Sequence, residues 1–280
     1  MAMKNILKIM LMMITIFTIA GSAVYAAEIP VSDQDQLITS RDWTEISNLQ
    51  DEMKKEEPDA TIDYDKALKV YVDCNLIKLQ TADTKKLTSA LESANYVWVI
   101  PFKMEKTYGM FTVAKGLPLR EEAKSVLTKA EQEEVKNHAG KWMITEIAEH
   151  TVEPYYDILL EKREALSDCT RVVLVGSQPG MRQPVALGMD DETARIWISL
   201  GYQYPVMEKI PETQNVESGV YSFESVAEIS DTYIEDSEVS TGVGVQSRSS
   251  MKYVAGIGIV LIGGILILSV LKKKKLEDYE

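Results

Sequence analysis

The chain has 280 residues with 43 acidic and 30 basic side chains, which gives a net charge of −13 at pH 7. Two basic residues lie in residues 1–26 and five at or beyond Lys252, so residues 27–250 hold 23 basic against 40 acidic side chains, or −17. Such a surface repels nucleic acid and anionic polymers, so no nucleic-acid partner is expected, and it favours cations or basic partners if it binds charge at all. Acidity is also a simple route to solubility.

The first residues predict export. Lys4 and Lys8 precede an apolar run over residues 9–20, and small residues follow up to Ala26. This arrangement is typical of a secretory signal peptide, residues 1–26, that is cleaved after Ala26. An uncleaved N-terminal membrane anchor is the alternative, and with either one the middle of the chain is exported.

The other end predicts a single transmembrane helix at residues 253–271. Residues 254–271 are 18 residues without a charge, about the number that crosses ~30 Å of hydrocarbon as a helix. Four basic residues follow at once and anchor the topology: Lys272, Lys273, Lys274 and Lys275. Because basic residues stay on the cytoplasmic side, residues 272–280 are expected to form a short cytoplasmic tail.

These signals predict a single-pass cell-membrane protein with its N-terminal domain outside. None of the six asparagines begins an Asn-x-Ser/Thr sequon, which favours a bacterial surface.

Residues 212–252 form the predicted link to the membrane, an acidic and mostly flexible stalk with no Lys or Arg over residues 211–247. Four apolar residues in it are enough for a short strand or helix to dock back onto the domain: Val220, Phe223, Val226 and Ile229.

Residues 27–211 are expected to form one α+β domain. Three apolar residues at helical spacing predict a first helix that begins after residues 39–42 and ends before Pro58: Ile46, Leu49 and Met53. A strand is predicted at residues 67–73. Asp83 is a predicted N-cap for a second helix, which has Leu87 and Leu91 on its apolar face.

Residues 96–100 are apolar on both faces, which predicts a central strand, and residues 108–114 are expected to pair with it as a hairpin. From residue 119 to residue 166 the spacing is helical, so this section is predicted to be helical. One of its apolar stripes contains Val135, Ala139, Trp142, Met143 and Ile147. Gly140 is expected to break or bend it, and Pro154 to begin a further helix.

Three short strands are predicted to close the domain as an antiparallel meander, at residues 171–175, 183–187 and 194–200. This order of hairpin, helical section and meander resembles the PAS and Cache ligand-sensing domains. The resemblance implies one antiparallel sheet covered by helices, and a binding pocket. Residues 272–280 are too few for the signalling domain that membrane-bound sensors of this kind usually carry.

Cys74 and Cys169 are the only cysteines, and in an exported domain they can form one disulfide. Both lie in apolar contexts in or next to predicted strands. Two separate buried thiols are therefore the alternative.

No catalytic, cofactor-binding or metal-binding residues are predicted. His138 and His150 lack the spacing of a helical zinc motif, although Glu146 shares a helical face with His150. Ser177 lies in G-S-x-x-G, which does not match a nucleophile elbow, and a tight turn explains its glycines. Residues 190–192 are three consecutive acids, which favour an exposed turn over a calcium loop.

The favoured hypothesis is a non-catalytic ectodomain that binds a ligand or another exported protein, as an accessory to a membrane system. Its ligand or membrane-protein partner is not identified by the sequence, and no cofactor is expected. The first alternative is a membrane-tethered extracytoplasmic hydrolase whose carboxylates converge in space. A structural or adhesive surface component is the second.

Overall fold

A computed structural model describes residues 29–150, 154–176, 178, 184–200, 215–217 and 219–234. No helix within these ranges is long and apolar enough to cross a membrane. The predicted signal peptide (1–26), transmembrane helix (253–271) and cytoplasmic tail (272–280, with Lys272, Lys273, Lys274 and Lys275) lie outside the described residues.

Helices and strands alternate irregularly along the chain. The helices in the described ranges are α1 (Trp43–Ile46), α2 (Gln50–Glu56), α3 (Thr84–Ser93), α4 (Glu121–Lys124), α5 (Lys129–His138), α6 (Tyr155–Glu161) and α7 (Phe223–Ile234). The strands are β1 (Thr61–Ile62), β2 (Leu68–Tyr71), β3 (Tyr96–Lys103), β4 (Tyr108–Lys115), β5 (Trp142–His150), β6 (Arg171–Val175), β7 (Val185–Met189), β8 (Ala194–Ser199), β9 (Asn215–Glu217) and β10 (Val220–Ser222).

The ten strands of the described ranges belong to one mixed sheet that is mostly antiparallel. Nine of them follow the order β5-β4-β3-β2-β6-β7-β8-β10-β9, and β1 pairs with β3 outside this path. The predicted hairpin β3–β4 and the meander β6–β7–β8 are confirmed. They are joined through β2, which is antiparallel to β3 but parallel to β6. The resemblance to PAS and Cache domains implies an antiparallel sheet, and this parallel pairing departs from it.

Most strands have apolar residues on both faces of the sheet, so both faces are covered by other parts of the chain. We call the face that carries Tyr71 and Trp98 the front face. It holds two apolar clusters. One packs α1 and α2 onto β3, β4 and β5, with Trp98 fully buried, and the other packs α3 and α7 onto β6, β7 and β8, with Trp197 fully buried.

The opposite, back face holds a third apolar cluster. Here Val70, Val99 and Leu174 point away from the front-face residues that alternate with them. Helix α6 covers this face with Tyr155 and Leu159, and Pro154 precedes the helix, as predicted. The core is therefore divided by the sheet into one continuous back layer and two front layers.

The prediction of helix throughout residues 119–166 is wrong at β5. Helix α5 ends at His138, and Gly140 follows with φ of +75°, so the chain turns and pairs β5 with β4 over its whole length. Trp142 and Ile144 pack on the front face, as strand period demands. The sequence pattern did not distinguish helix from strand, because Trp142, Met143 and Ile147 also fit a strand that contains a bulge. The structure has this bulge opposite Thr112 and Val113 of β4.

The domain extends beyond the predicted boundary at residue 211. Within the predicted stalk, β10 pairs with β8, β9 pairs with β10, and α7 follows. Val220, Tyr221, Phe223 and Val226 are buried, so the apolar residues of this segment dock onto the sheet and overcome its acidic composition. The remainder of the predicted stalk, from residue 235, lies outside the described residues.

The two predicted helix starts have different outcomes. Asp83 caps α3 as predicted, since its carboxylate accepts hydrogen bonds from the backbone amides of Lys85 and Lys86. Asp42 precedes α1 but makes no capping hydrogen bond to it. Its carboxylate is turned towards the sheet instead. The single helix predicted here is divided into α1 and α2 by a 3-10 turn at Ser47–Leu49, and α2 ends at Glu56, before Pro58, as predicted.

Replacing Asp83 with Ala is expected to lower the free energy of unfolding by about 1 kcal/mol, because two amide groups of the first turn of α3 lose their acceptor. Urea unfolding followed by circular dichroism measures this loss. Asp83→Asn is the control, since it keeps a side-chain oxygen in the same place. A loss of equal size in both variants would show that the negative charge, and not the cap, stabilises the helix.

Replacing Gly109 with Ala is expected to cost about 1 to 3 kcal/mol of stability. A Cβ atom there would lie 2.1 Å from Cζ of Phe102, whose ring covers this glycine and packs 4.6 Å from the Phe111 ring. Gly176→Ala is the matched control, because its Cβ would meet neighbours at ordinary contact distances of 3.6 Å or more. Equal unfolding midpoints for both variants in urea would contradict this packing.

Candidate functional site

The candidate site lies where β2 and β6 separate. These strands pair over two residues only, and the N-terminal segment fills the gap that opens beyond the pairing. Val31 bridges to Val172 on the side of β6, and Gln36 bridges to Leu68 on the side of β2. Between these two bridges the backbone forms a short 3-10 turn at Asp33–Asp35, which carries polar residues into the centre of the sheet.

Seven side chains meet on the front face beside this gap. We call them the central polar cluster: Asp35, Asp42, Lys69, Tyr71, Tyr96, Trp98 and Arg171. Strand geometry brings them together, because Lys69 and Tyr71 are two residues apart on β2 and lie opposite Trp98 and Tyr96 on β3. Arg171 begins β6, and the two aspartates come from the N-terminal segment.

Asp35 is the acceptor at the centre of the cluster and is only 2% exposed. Its Oδ1 accepts a hydrogen bond of 2.7 Å from the Tyr71 hydroxyl. Its Oδ2 accepts 2.6 Å from the Ser32 hydroxyl and 2.9 Å from Nη2 of Arg171. Nζ of Lys69 lies 3.5 Å from Oδ1. The carboxylate is thus fully hydrogen-bonded, as a buried charge requires.

Lys69 is surrounded by aromatic rings. Its Nζ lies 4.7 Å from the ring centre of Tyr96, 5.2 Å from that of Trp98 and 5.7 Å from that of Tyr71. It also donates a hydrogen bond to the backbone oxygen of Gln34. Burial lowers the pKa of this amine, and the neighbouring carboxylates only partly offset the effect. The amine therefore gives up its proton more readily than an exposed lysine does.

Asp42 accepts hydrogen bonds from two aromatic residues of the cluster, Tyr96 and Trp98. Its Oδ2 accepts 2.8 Å from the Tyr96 hydroxyl and 3.1 Å from Nε1 of Trp98. These bonds explain why Asp42 does not cap α1: its carboxylate satisfies two buried donors of β3. Trp98 and Tyr96 are thereby fixed beside Lys69, with Tyr96 in tilted contact with Tyr71 at 6.2 Å.

Two arginines form the rim between the cluster and solvent. The Arg41 side chain is 86% exposed and lies 3.9 Å from Asp42, and hydrogen bonding to Tyr96 raises its pKa. The Arg171 side chain is 17% exposed, and its Nε atom is buried without a hydrogen-bond partner. Burial raises the pKa of Tyr71, which keeps its hydroxyl protonated as a donor to Asp35.

The charges of this site do not cancel. Three cations, Arg41, Lys69 and Arg171, surround two carboxylates, so the site carries one net positive charge within a domain that is strongly acidic. Its carboxylates are already bound by donors, while arginine groups at the rim keep unused hydrogen-bonding capacity. Free guanidinium donors beside carboxylates that are already hydrogen-bonded suit an anion better than a metal ion.

The two cysteines are separate buried thiols, which is the alternative to the disulfide. Cys74 lies in a front-face cluster and Cys169 in the back-face cluster, so the sheet separates them. Cys169 packs where Gly188 leaves room for it, since a Cβ at that glycine would lie 2.7 Å from the sulfur. Burial raises the pKa of each thiol to about 11.

The structure does not bring the other sequence candidates together. No group of three or more His, Cys, Asp or Glu side chains in the described ranges is placed to hold a metal ion. Glu146 faces the back of the sheet, where burial raises its pKa and the Thr112 hydrogen bond opposes that shift. Asp190 accepts from the backbone of Glu192 and Thr193, which makes the predicted exposed turn. Ser177 lies outside the described residues.

The residues of the central polar cluster are not among the candidates that the sequence predicts. One signal for it was present, because Lys69 is the only charged residue in residues 67–72, a run otherwise typical of a buried strand. A lysine at such a position needs a partner or a function. Its partner, Asp35, is 34 residues away, and no local spacing connects the two.

No protein-family model matches this chain, and neither a curated protein nor a solved structure is significantly similar to it. The central polar cluster is therefore interpreted from its own geometry.

The raised pKa of Cys74 and Cys169 gives a pH dependence of stability. The folded protein holds thiol protons that the unfolded chain releases near pH 9, so this contribution is complete below pH 9 and is lost as the pH rises towards 11. Between about pH 8 and pH 10 we expect wild type to lose roughly 1 kcal/mol per thiol more than the double variant Cys74→Ala, Cys169→Ala.

Urea unfolding under reducing conditions at both pH values measures this difference. The double variant is the control because tyrosines of the unfolded chain also begin to titrate by about pH 10 and are the same in both proteins. Equal losses in the two proteins would contradict the burial of the thiols.

Proposed function

We propose that this chain is a non-catalytic binding domain of a single-pass surface protein, and that it takes an anionic ligand over the rim of the central polar cluster. The observation that carries the proposal is the net positive charge at this site. Arg41, Lys69 and Arg171 converge beside two carboxylates, while residues 27–250 as a whole carry −17.

The rim supplies the groups that an anion needs. The Arg41 guanidinium is exposed and lies beside Tyr96, and Arg171 is held in a fixed position by its ion pair with Asp35. Arginine binds carboxylates and phosphates through planar, charge-assisted hydrogen bonds. Because Asp35 fixes Arg171, this part of the rim is preorganised, and the exposed Arg41 side chain is the part that becomes ordered on binding.

The same geometry argues for binding over the alternative of a tethered hydrolase. A hydrolase of that kind needs a carboxylate that can exchange a proton with its substrate or with water. Asp35 and Asp42 each accept bonds from buried donors, and Tyr71 is held as a neutral phenol. These bonds position side chains, and they leave no carboxylate of the cluster turned to solvent.

The proposal includes location and role. The signal peptide over residues 1–26 and the transmembrane helix over residues 253–271 are sequence predictions, and they support a domain displayed outside the cell membrane. A displayed binding domain suits an accessory that delivers a bound ligand, or signals its presence, to a separate membrane protein.

The test is thermal unfolding of the purified full-length protein in detergent against panels of anionic, neutral and cationic small molecules. A ligand at about 100 times its dissociation constant stabilises the folded state by about 2.7 kcal/mol. We expect a saturable shift with one class of anion. Arg41→Gln is expected to weaken that ligand about tenfold, because one charge-assisted hydrogen bond is lost.

Arg163→Gln is the control, since this arginine lies after α6, on the back of the sheet, and donates to the backbone oxygen of Leu160. It is expected to leave the dissociation constant unchanged. A saturable anion shift that Arg41→Gln does not weaken would place the ligand elsewhere. Stabilisation by cations alone would contradict an anionic ligand.

A further inference from the structure

The pair formed by Lys69 and Asp35 differs from the other ion pairs of the described residues. Both side chains are almost fully buried, at 9% and 2% exposure, and Nζ lies 3.5 Å from Oδ1. The similar pair Lys66–Asp157 has a shorter distance of 2.8 Å but exposures of 34% and 24%. An amine and a carboxyl group held together away from water are the two reactants of an amide.

We infer that Lys69 and Asp35 condense to form an intramolecular amide bond between their side chains. Nζ of Lys69 attacks Cγ of Asp35, the new C–N bond forms, and one C–O bond of the carboxyl group breaks. The departing hydroxyl takes a proton from the amine and leaves as water. Nothing is oxidised or reduced, and no further reactant is needed.

The reacting pair is neutral, an amine and a carboxylic acid, and one proton transfer from the lysine to the aspartate produces it from the ion pair. The surroundings of Lys69 favour this transfer. The rings of Tyr96, Trp98 and Tyr71 replace water around the amine, and its lowered pKa reflects that burial. Burying an ion pair costs free energy, so the neutral pair is closer in energy here than at a surface.

Hydrogen bonds on Asp35 assist the attack. Ser32, Tyr71 and Arg171 all donate to its oxygens, at 2.6, 2.7 and 2.9 Å. Donors in these positions stabilise the negative charge that develops on oxygen in the tetrahedral intermediate, as in an oxyanion hole. If Oδ1, the oxygen nearer to Lys69, leaves as water, the amide oxygen is Oδ2, which still accepts from Ser32 and Arg171, while the Tyr71 hydroxyl loses its acceptor.

Position and charge balance also favour the product. Reactants held in a fixed geometry reach effective concentrations of about 10⁵ to 10⁸ M, which offsets the unfavourable condensation of amines and acids in water. Lys69 and Asp35 lose one positive and one negative charge together, so the net charge of the cluster is unchanged. The bond ties the N-terminal segment to β2, the strand that joins the two halves of the sheet.

The proposed anion site does not depend on this bond, because the net charge of the cluster is the same with or without it and neither Arg41 nor Arg171 is consumed. Its test is mass spectrometry of the full-length protein after denaturation, reduction and trypsin digestion. We expect a branched peptide that joins the segment ending at Arg41 to residues 67–78, uncut at Lys69, with a mass one water below the sum of its two segments.

Two variants locate the bond. Lys69→Arg keeps the positive charge but is expected to abolish the branched peptide and its water loss. Lys66→Arg, at the more exposed pair with Asp157, is expected to retain both. The wild-type digest decides the question even if Lys69→Arg fails to fold. Recovery of only linear peptides, with cleavage after Lys69, would overturn the inference, and so would a water loss confined to the peptide that contains Asp35.

Discussion

The structure depends on how one buried lysine is compensated. Lys69 lies on β2, which connects the hairpin half of the sheet to the meander half, and its side chain points between two apolar clusters. A charge there requires a counter-charge and hydrogen bonds. The N-terminal segment supplies both, since Asp35 provides the counter-charge and the backbone oxygen of Gln34 accepts a hydrogen bond from Lys69. The position of Asp35 is fixed in turn by Tyr71 and Arg171.

This requirement explains the N-terminal segment itself. The segment covers part of the sheet through the buried apolar residues Val31 and Leu37. The segment also enters the gap between β2 and β6 as a partner for both strands, which satisfies backbone groups that the separating strands leave open. Asp35 and Asp42 are thus placed by backbone pairing, and the cluster forms where the sheet would otherwise be incomplete.

The cluster has an inner and an outer part with different properties. Inside, Lys69 and Asp35 are shielded from water and are held close enough to react with each other. Outside, Arg41 is largely exposed and Arg171 partly so, and these are the groups at which we propose that an anion binds. The same set of hydrogen bonds serves both parts, because Asp42 and Tyr96 connect the exposed arginine to the rings around the amine.

The sequence by itself determined the elements with strong local patterns. These include the hairpin of β3 and β4, the three strands of the meander, the cap at Asp83 and the helix that follows Pro154. Each is encoded within about ten residues by alternation, helical spacing or turn chemistry. The predictions of export and of a membrane anchor also rest on local composition alone.

Only the tertiary structure decided the rest. Trp142 and Ile144 suit a helix or a strand, and pairing with β4 selected the strand. Val220 and Phe223 lie in an acidic segment. They belong to the domain because β10 pairs with the edge of β8 and Phe223 packs in the apolar cluster beside it. Asp35 and Lys69 are far apart in the sequence, and no local pattern predicts their contact. They meet because β2 and β6 separate and the N-terminal segment fills the gap between them.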